Sequence, residues 1–204
     1  MPIDLACIVE GEGDVQAVPV VIRRIVQEIA PGLAIKIHPF RVPRTKLIKP
    51  GELERSIEIA ARRVGRNGAI FVVLDSDDDE PKILGPELLA RARKVRSDRF
   101  ISVVLAKREF ESWFLAAAES LRGHRGLPKE LEAPLDPESI RGAKEWLAAR
   151  FEPRRRYSET VDQPALAKLF DLLQARRAPS FDKLFHDVQA VLGDLTTNQP
   201  GLLR

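Results

Sequence analysis

Short runs of apolar, often β-branched residues recur along the first half of the chain and are separated by segments with a different pattern. These runs lie at residues 3–9, 33–40, 69–74 and 100–106. Runs that are continuously apolar, such as the third one, are typical of strands buried on both faces of a parallel sheet. The pattern therefore predicts four parallel strands.

The segments between the runs carry apolar residues at three- and four-residue spacing, which is typical of amphipathic helices. Helices are predicted at residues 17–30, 51–66, 86–96 and 110–121. The first helix is expected to begin near Ala17, because a proline such as Pro19 fits only near the first turn of a helix. Strands alternating with helices predict an α/β fold, with a Rossmann-like, four-stranded parallel sheet and helices on both faces.

The pattern changes after residue 122. Glycine and proline punctuate the sequence that follows, which is typical of a loop-rich connection. Helical periodicity then returns, without a convincing strand, at residues 138–151, 162–176 and 180–193, and residues 196–204 have the pattern of a tail. We therefore predict two parts: an α/β domain at residues 1–122 and a helical C-terminal extension at residues 123–204.

The composition is that of a globular protein with a sizeable core, because 44% of the 204 residues are hydrophobic and 31% are charged. The one cysteine, Cys7, lies within the first strand and is expected in the core; a single cysteine excludes a disulfide framework and a cysteine-rich zinc site. No apolar stretch approaches the roughly 20 residues of a membrane span, and the N-terminus lacks the pattern of a signal peptide. We expect a cytoplasmic protein without a membrane partner.

Acidic residues follow three of the predicted strands at the point where each strand ends. They are Glu10 and Asp14 after the first, Asp75, Asp77, Asp78 and Asp79 after the third, and Glu109 and Glu111 after the fourth. The carboxyl ends of parallel strands share one edge of the sheet, where ligands bind near the switch in strand order. Carboxylates gathered there repel one another unless protons or a cation neutralise them, and hard oxygen ligands suit Mg²⁺ or Mn²⁺. The sequence therefore predicts a divalent-cation site with Glu10, Asp75 and Asp77 as its ligands.

Each of these acids also has a structural explanation. Asp14 has the position of a helix N-cap and Glu10 that of a solvated turn residue, while Glu111 would favour the positive end of a helix dipole. Aspartates are common in exposed turns. We prefer the metal interpretation because four aspartates directly after a buried strand repel one another strongly. A dinucleotide-binding loop is excluded, because Gly11 and Gly13 are not followed by the third glycine of that motif. A P-loop ATPase is excluded, because the sequence contains no Walker A motif.

Basic residues supply candidate contacts to phosphate. Lys107, after the fourth strand, would neutralise the acids or contact phosphate. Two further groups are candidates for holding a nucleic-acid backbone: Arg41, Arg44, Lys46 and Lys49 after the second strand, and Arg154, Arg155 and Arg156 beside Tyr157. Both groups are equally explained as solvated surface, and a net charge of +3 permits nucleic-acid binding without arguing for it. The three histidines are scattered and have no metal-binding spacing.

At these residues the chain resembles the Toprim superfamily, the catalytic domain shared by topoisomerases, bacterial primases and OLD-family nucleases. Its marks are a Glu after the first strand and an Asp-x-Asp after the third, and the spacing of Glu10 and Asp14 resembles that of the OLD-type members. A narrower resemblance, over nearly the whole chain, is to the bacterial family called domain of unknown function 4276. It rests on Glu10, Asp14, Pro19, Asp75, Asp77, the segment Glu109-Phe110-Glu111-Ser112-Trp113-Phe114-Leu115-Ala116, Tyr157, Asp162-Gln163-Pro164 and Ser180-Phe181.

The Toprim resemblance implies a Mg²⁺- or Mn²⁺-dependent nuclease or phosphodiesterase that acts on nucleic acid, with DNA favoured over RNA. The metal ligands of such an enzyme would be Glu10, Asp75 and Asp77. Asp14 and Glu111 would complete or orient the surroundings of the metal, and Lys107 would stabilise charge on the phosphate. The narrower resemblance implies a role in anti-phage defence beside an ABC- or AAA-type ATPase.

Two non-catalytic alternatives stay open. The first is a Toprim-like subunit that only contributes to the structure of a defence complex. The second is a receiver-like signalling module, which also carries acids after its first and third strands and a lysine after a later one. A receiver fold needs five strands, and the sequence predicts four. The oligomeric state is also open, a homo-oligomer included.

Overall fold

A computed structural model describes residues 2–153 and 155–198 and confirms the α/β fold. Its strands are β1 (Ile3–Val9), β2 (Ile35–Arg41), β3 (Ala69–Asp75) and β4 (Ile101–Ala106). The four strands form one parallel sheet in the order β2-β1-β3-β4. The α-helices are α1 (Glu12–Ile29), α2 (Arg44–Leu47), α3 (Glu52–Val64), α4 (Pro81–Val95), α5 (Ser112–Ala116), α6 (Ala143–Ala148), α7 (Glu159–Ala167), α8 (Leu172–Ala175) and α9 (Pro179–Asn198).

Successive side chains of each strand point to opposite faces of the sheet, and both sets are largely apolar. Helices therefore cover both faces. On one face, α3 and α4 pack against strand residues such as Ile8 and Val72. On the other face, α1, α5 and the C-terminal helices share a larger cluster with strand residues such as Val73. Cys7 lies in that cluster and is fully buried, and burial raises the pKa of its thiol to about 12. Cys7 is therefore the core residue that its position predicts.

The first helix begins earlier than expected. α1 begins at Glu12 and not near Ala17, so Pro19 lies inside the helix. A proline at that position leaves one carbonyl of the preceding turn without its N–H donor. Val18 and Val21, on either side of Pro19, are both fully buried, and their packing offsets that loss.

Other element boundaries also differ from the expected ones. α4 begins at Pro81, where proline suits the first helical position, and therefore includes Pro86 as an internal residue. The helix expected at residues 110–121 is the short α5, followed by a separate 3₁₀ turn at Ala118–Leu121. The short helix α2 was not expected from the pattern.

The C-terminal part is helical, as expected, but is more fragmented. The segment expected at 138–151 contains a 3₁₀ turn at Pro137–Ser139 and the helix α6, and the segment expected at 162–176 contains α7 and α8. α9 continues to Asn198, so the first residues of the expected tail are helical; residues 199–204 lie outside the described residues. The division of the chain at residue 122 stays a prediction, and the apolar cluster of α1 includes side chains from both proposed parts.

None of the helices in the described ranges has both the length and the apolar character that crossing a membrane would require.

A chain of aromatic rings connects α5 to the C-terminal helices. The ring centroids of Trp113 and Phe181 are 5.4 Å apart, those of Phe181 and Phe170 are 5.5 Å apart, and those of Phe170 and Phe114 are 5.4 Å apart. All three pairs have the edge-to-face geometry that aromatic quadrupoles favour. The Trp113 indole N–H also donates to the Ser180 hydroxyl at 2.8 Å. These contacts hold the start of α9 against the residues that follow β4.

We expect Phe181→Ala to lower the free energy of unfolding by about 3–5 kcal/mol, because it removes a fully buried ring from the centre of this cluster. Urea denaturation followed by circular dichroism measures the change. Leu173→Ala is the matched control, since Leu173 is 62% exposed in a neighbouring helix and its loss should cost no more than about 0.5 kcal/mol. Equal effects of the two substitutions would contradict the role assigned to the aromatic cluster.

Candidate functional site

The strand order places a topological switch point between β1 and β3. The chain leaves β1 toward β2 on one side and leaves β3 toward β4 on the other, which opens a crevice at the carboxyl ends of the two central strands. Glu10 directly follows β1, and Asp75 is the last residue of β3. Their carboxyl groups are close enough to share a hydrogen bond when one of them is protonated. The fold therefore brings together the two acids expected to meet at this edge.

The electrostatics of this pair favour the uptake of positive charge. Burial raises the pKa of Glu10 to about 7, assisted by the charges of Asp14 and Asp77 and opposed by the hydrogen bond with Asp75 and by the charge of Arg44. The pKa of Asp75 is raised well above its ordinary range, first by burial and then by the charges of neighbouring acids. Carboxylates with such pKa values are stabilised by either a proton or a cation.

Asp14 lies in the first turn of α1, with only 7% of its surface exposed. It is not the N-cap, which is Gly11; instead its carboxylate accepts a hydrogen bond from the Gly11 backbone N–H at 2.9 Å. Its second oxygen accepts a hydrogen bond from the Gln163 side-chain amide of α7, also at 2.9 Å. Burial raises the pKa of Asp14, against these two hydrogen bonds. The residue therefore combines a capping role with membership of the acidic cluster.

Glu111 directly precedes α5 and is 1% exposed. Its carboxylate accepts a hydrogen bond from the Tyr157 hydroxyl at 2.8 Å. Burial raises the pKa of Glu111 to about 7, opposed by that hydrogen bond and by the charge of Lys144, and Glu111 in turn contributes to the raised pKa of Asp75. Glu111 therefore belongs electrostatically to the same cluster, as expected.

Lys144, Tyr157 and Gln163 were not predicted as site residues. All three come from the C-terminal part and contact acids that follow β1 or β4. Tyr157 donates to Glu111, and Gln163 donates to Asp14. The backbone N–H of Lys144 donates to Glu109 at 2.8 Å. The Lys144 ammonium group pairs with Glu159. The helical periodicity around Lys144 and Gln163 does not indicate which part of the sheet they approach, and only the resemblance to the narrower family singles out Tyr157 and Gln163.

The acidic loop after β3, which comprises Asp77, Asp78 and Asp79, is held by arginines from other segments. Arg44 of α2 donates to the backbone carbonyl of Asp75 at 3.0 Å, lies 3.4 Å from an Asp77 carboxylate oxygen and also pairs with Asp79. Arg108 and Arg141 each lie 2.7 Å from one carboxylate oxygen of Asp78. The basic segment after β2 thus lies beside the acidic edge, as a phosphate-guiding loop would.

The remaining basic candidates lie in different environments. Arg41 donates to the backbone carbonyl of Glu10 at 2.8 Å, and Lys46 pairs with Glu52 at 3.5 Å. Lys49 and Arg156 are exposed, Arg155 pairs with Asp162 at 2.6 Å, and Arg154 lies outside the described residues.

Lys107 is the one predicted catalytic residue that the fold directs elsewhere. Its ammonium group pairs with Glu80 at 2.8 Å. Among the described contacts, none joins Lys107 to Glu10, Asp75 or Glu111. Its role in stabilising phosphate charge stays a prediction.

The described residues contain no group of three His, Cys, Asp or Glu side chains already arranged to hold a metal ion. The donor chemistry nevertheless suits Mg²⁺, which is usually bound through one or two carboxylates together with waters and substrate phosphates. Glu10 and Asp75 supply two adjacent carboxyl groups. Asp77 would become a third ligand only by leaving Arg44, with which it is paired.

A family model described as "Domain of unknown function (DUF4276)" matches residues 9–189. The chain belongs to this family. The match runs from the last residue of β1 into α9 and therefore includes every residue of the acidic cluster. It confirms the narrower resemblance, and the description of the DUF4276 family assigns no reaction. No curated protein matches the chain, and no solved structure matches it.

The raised pKa of Glu10 predicts how the stability of this DUF4276 protein depends on pH. The folded state holds the Glu10 proton more tightly than the unfolded chain does, so the free energy of unfolding falls as the pH rises from about 4.5 to about 7. Glu10→Gln removes the part of this dependence that Glu10 contributes, while Asp75 and Glu111 keep theirs. With a chelator present, we expect the variant to exceed the wild type by about 1–3 kcal/mol near pH 8 and to match it near pH 4.

Urea titrations across this pH range measure the difference, and Glu130→Gln, which removes an exposed carboxylate far along the chain, is the control. A Glu10→Gln variant that is less stable than the wild type near pH 8 would show that the Glu10 carboxylate is not destabilised in the fold.

Proposed function

We propose that this protein is a Mg²⁺- or Mn²⁺-dependent phosphodiester hydrolase that cleaves nucleic acid, with DNA favoured over RNA. The observation that carries the proposal is the contact between the Glu10 and Asp75 carboxyl groups at the switch point of the sheet. Two partly buried acids with raised pKa values are in mutual repulsion when ionised, and a bound divalent cation relieves that repulsion. The Toprim resemblance, with its Glu and Asp-x-Asp at these positions, supports the same chemistry.

A divalent cation at this site would supply charge neutralisation for the phosphate and for the groups that enter and leave it. The side chains of the protein would then have separate tasks. Glu10 and Asp75 would be ligands, and Asp77 would join them on leaving Arg44. Asp14 and Glu111 would complete or orient the surroundings of the metal, since the charges of both act on Asp75 and raise its pKa.

The arginines around the acidic loop are suited to bind the phosphates of a nucleic acid. Arg108 and Arg141 share one carboxylate, Asp78, and this aspartate and Arg141 are largely exposed. Exposed ion pairs contribute little to stability, so a phosphate can replace the carboxylate at small cost. Guanidinium groups bind phosphate in a bidentate manner, which would hold a strand beside the acids.

A non-catalytic, Toprim-like interaction module is a second candidate. The observation that favours it is that arginines already neutralise the acidic loop, while the described residues contain no preformed group of three metal ligands. A receiver-like module is less favoured, because the described sheet has four strands. An ATPase partner, proposed from the family resemblance, is compatible with either candidate.

Nicking of supercoiled plasmid and cleavage of single-stranded DNA in the presence of Mn²⁺ or Mg²⁺ test the proposal. We expect Asp75→Asn and Glu10→Gln each to reduce the rate by at least ~100-fold, because each removes a carboxylate that would carry the metal. Asp98→Asn is the matched control, since Asp98 lies before β4, at the opposite end of the strands, and should leave the rate unchanged.

Isothermal titration with Mn²⁺ separates the two candidates. Binding that is lost in Asp75→Asn, without cleavage by the wild type, would favour the interaction module. Cleavage that persists in both Asp75→Asn and Glu10→Gln would refute the hydrolase site proposed for the switch point.

A further inference from the structure

The carboxyl end of β2, the helix α2 and one side of α3 form a basic surface beside the acidic cluster. This surface encloses a shallow cavity of about 240 Å³. The cations in its lining are Arg41 from β2, Lys46 from α2, and Arg55 and Arg63 from α3. Among the described residues, the lining includes a single acid, Glu52. The surface therefore carries an excess of positive charge.

Two of these cations, Arg55 and Arg63, have no carboxylate partner within the part of the chain that the structure describes. Both side chains belong to exposed residues of α3. The three acids of the same helix, Glu52, Glu54 and Glu58, are each paired with a cation from outside α3. The charges of Arg55 and Arg63 are therefore available to an anionic ligand.

The basic surface is continuous with the candidate active site. Arg41 donates to the backbone carbonyl of Glu10 at 2.8 Å, and its guanidinium group also lies 3.8 Å from a carboxylate oxygen of Glu12. Because the Arg41–Glu12 pair is exposed and long, Arg41 can exchange that partner for a phosphate at small cost. Arg55 and Arg63 are about two helical turns apart, or about 12 Å. The cations can therefore contact successive phosphates of a strand that leads to Glu10.

Apolar side chains lie among the cations of this surface. Phe40, Val42 and Ile59 contribute to the lining, and Phe40 is only partly buried. The Arg63 guanidinium lies over the Phe40 ring, 4.6 Å from its centroid. An exposed cation–π contact is weak, so a base can replace the guanidinium on the ring while Arg63 binds a phosphate. The bases of a single strand are free to stack in this way, whereas those of a duplex are stacked on one another.

We propose that this surface binds nucleic acid in single-stranded form, with phosphates on Arg41, Arg55 and Arg63 and one base stacked on Phe40. The assignment rests on the proposed function, because it gives the substrate a route to Glu10, and it narrows that substrate to unpaired strands. Phosphate contacts supply affinity, and stacking selects unpaired bases without reading their sequence. A nucleic-acid strand matches the cations and the aromatic ring together, whereas an acidic protein segment matches only the cations.

Fluorescence anisotropy of a fluorescein-labelled oligothymidylate of about 16 nucleotides measures this binding, with the full-length protein and a chelator present to prevent metal-dependent cleavage. We expect saturable binding that is at least ~10-fold tighter than that of a duplex of the same length, because the duplex offers no free base to Phe40. A glutamate peptide of equal charge should also bind at least ~10-fold more weakly, for the same reason.

The double variant Arg55→Gln, Arg63→Gln tests the phosphate contacts. It should weaken binding of the oligothymidylate by at least ~10-fold and reduce the slope of log K against log salt by ~1.4, because each phosphate contact of a single strand contributes about 0.7. Arg23→Gln is the matched control, since it removes an exposed arginine from α1, on the other face of the sheet, and should change neither quantity. Circular dichroism verifies that each variant is folded.

Substitutions of Phe40 separate stacking from charge. Phe40→Leu should weaken binding of the oligothymidylate by at least ~5-fold and leave binding of the duplex unchanged, because it removes the ring and keeps every cation. Phe40→Tyr retains an aromatic ring and should bind the oligothymidylate as the wild type does.

Four results would overturn the proposal. The first is the absence of binding by the oligothymidylate, and the second is a duplex or glutamate peptide that binds as tightly. The third is binding that the double arginine variant leaves unchanged, and the fourth is binding that Phe40→Leu leaves unchanged.

The single-strand surface and the proposed hydrolase fail separately. Cleavage of single-stranded DNA with Mn²⁺ that the double arginine variant performs as fast as the wild type would refute the surface and leave the hydrolase standing. Binding that meets every expectation above, without cleavage by the wild type in Mn²⁺ or Mg²⁺, would refute the hydrolase and support the surface.

Discussion

Repulsion between carboxylates at the carboxyl ends of β1 and β3 is the constraint around which the site is arranged. Glu10 and Asp75 meet because parallel strands end on one edge and the strand order reverses between them. Their raised pKa values show that the fold holds them at some cost in their ionised forms. Residues that approach the pair either add to this cost, as Asp14 does, or reduce it, as Arg44 does through its positive charge.

The C-terminal helices complete this arrangement and do not merely cover the sheet. Gln163 bonds with Asp14, and Tyr157 bonds with Glu111, so two acids of the cluster each take one partner from the second half of the chain. The aromatic contacts around Phe181 hold α9 against the same region. Orientation of the acids and stability of the core are therefore coupled, and a substitution in the C-terminal part can alter the site without touching an acid of the cluster.

The switch point between β1 and β3 and the surface beside β4 present different chemical groups to a ligand. At the switch point, side-chain carboxylates are concentrated and attract cations. Beside β4, cations such as Lys82 and Lys183 line a groove together with apolar side chains of β4 and α4. Lys107 belongs to the second environment, although it follows a strand as the acids do, because it pairs with Glu80 at the start of α4.

Local sequence was sufficient for the strands, the parallel sheet and the acids at the strand ends, because apolar runs and periodicity report burial over a few residues. It was also sufficient for the family, whose match extends over residues 9–189. The position of Lys107 and the partners of the acids depended on tertiary contacts. Asp14 and Gln163 are 149 residues apart, and no periodic pattern records a contact over that distance. Helix boundaries were missed where packing outweighed a local rule, as burial around Pro19 did in α1.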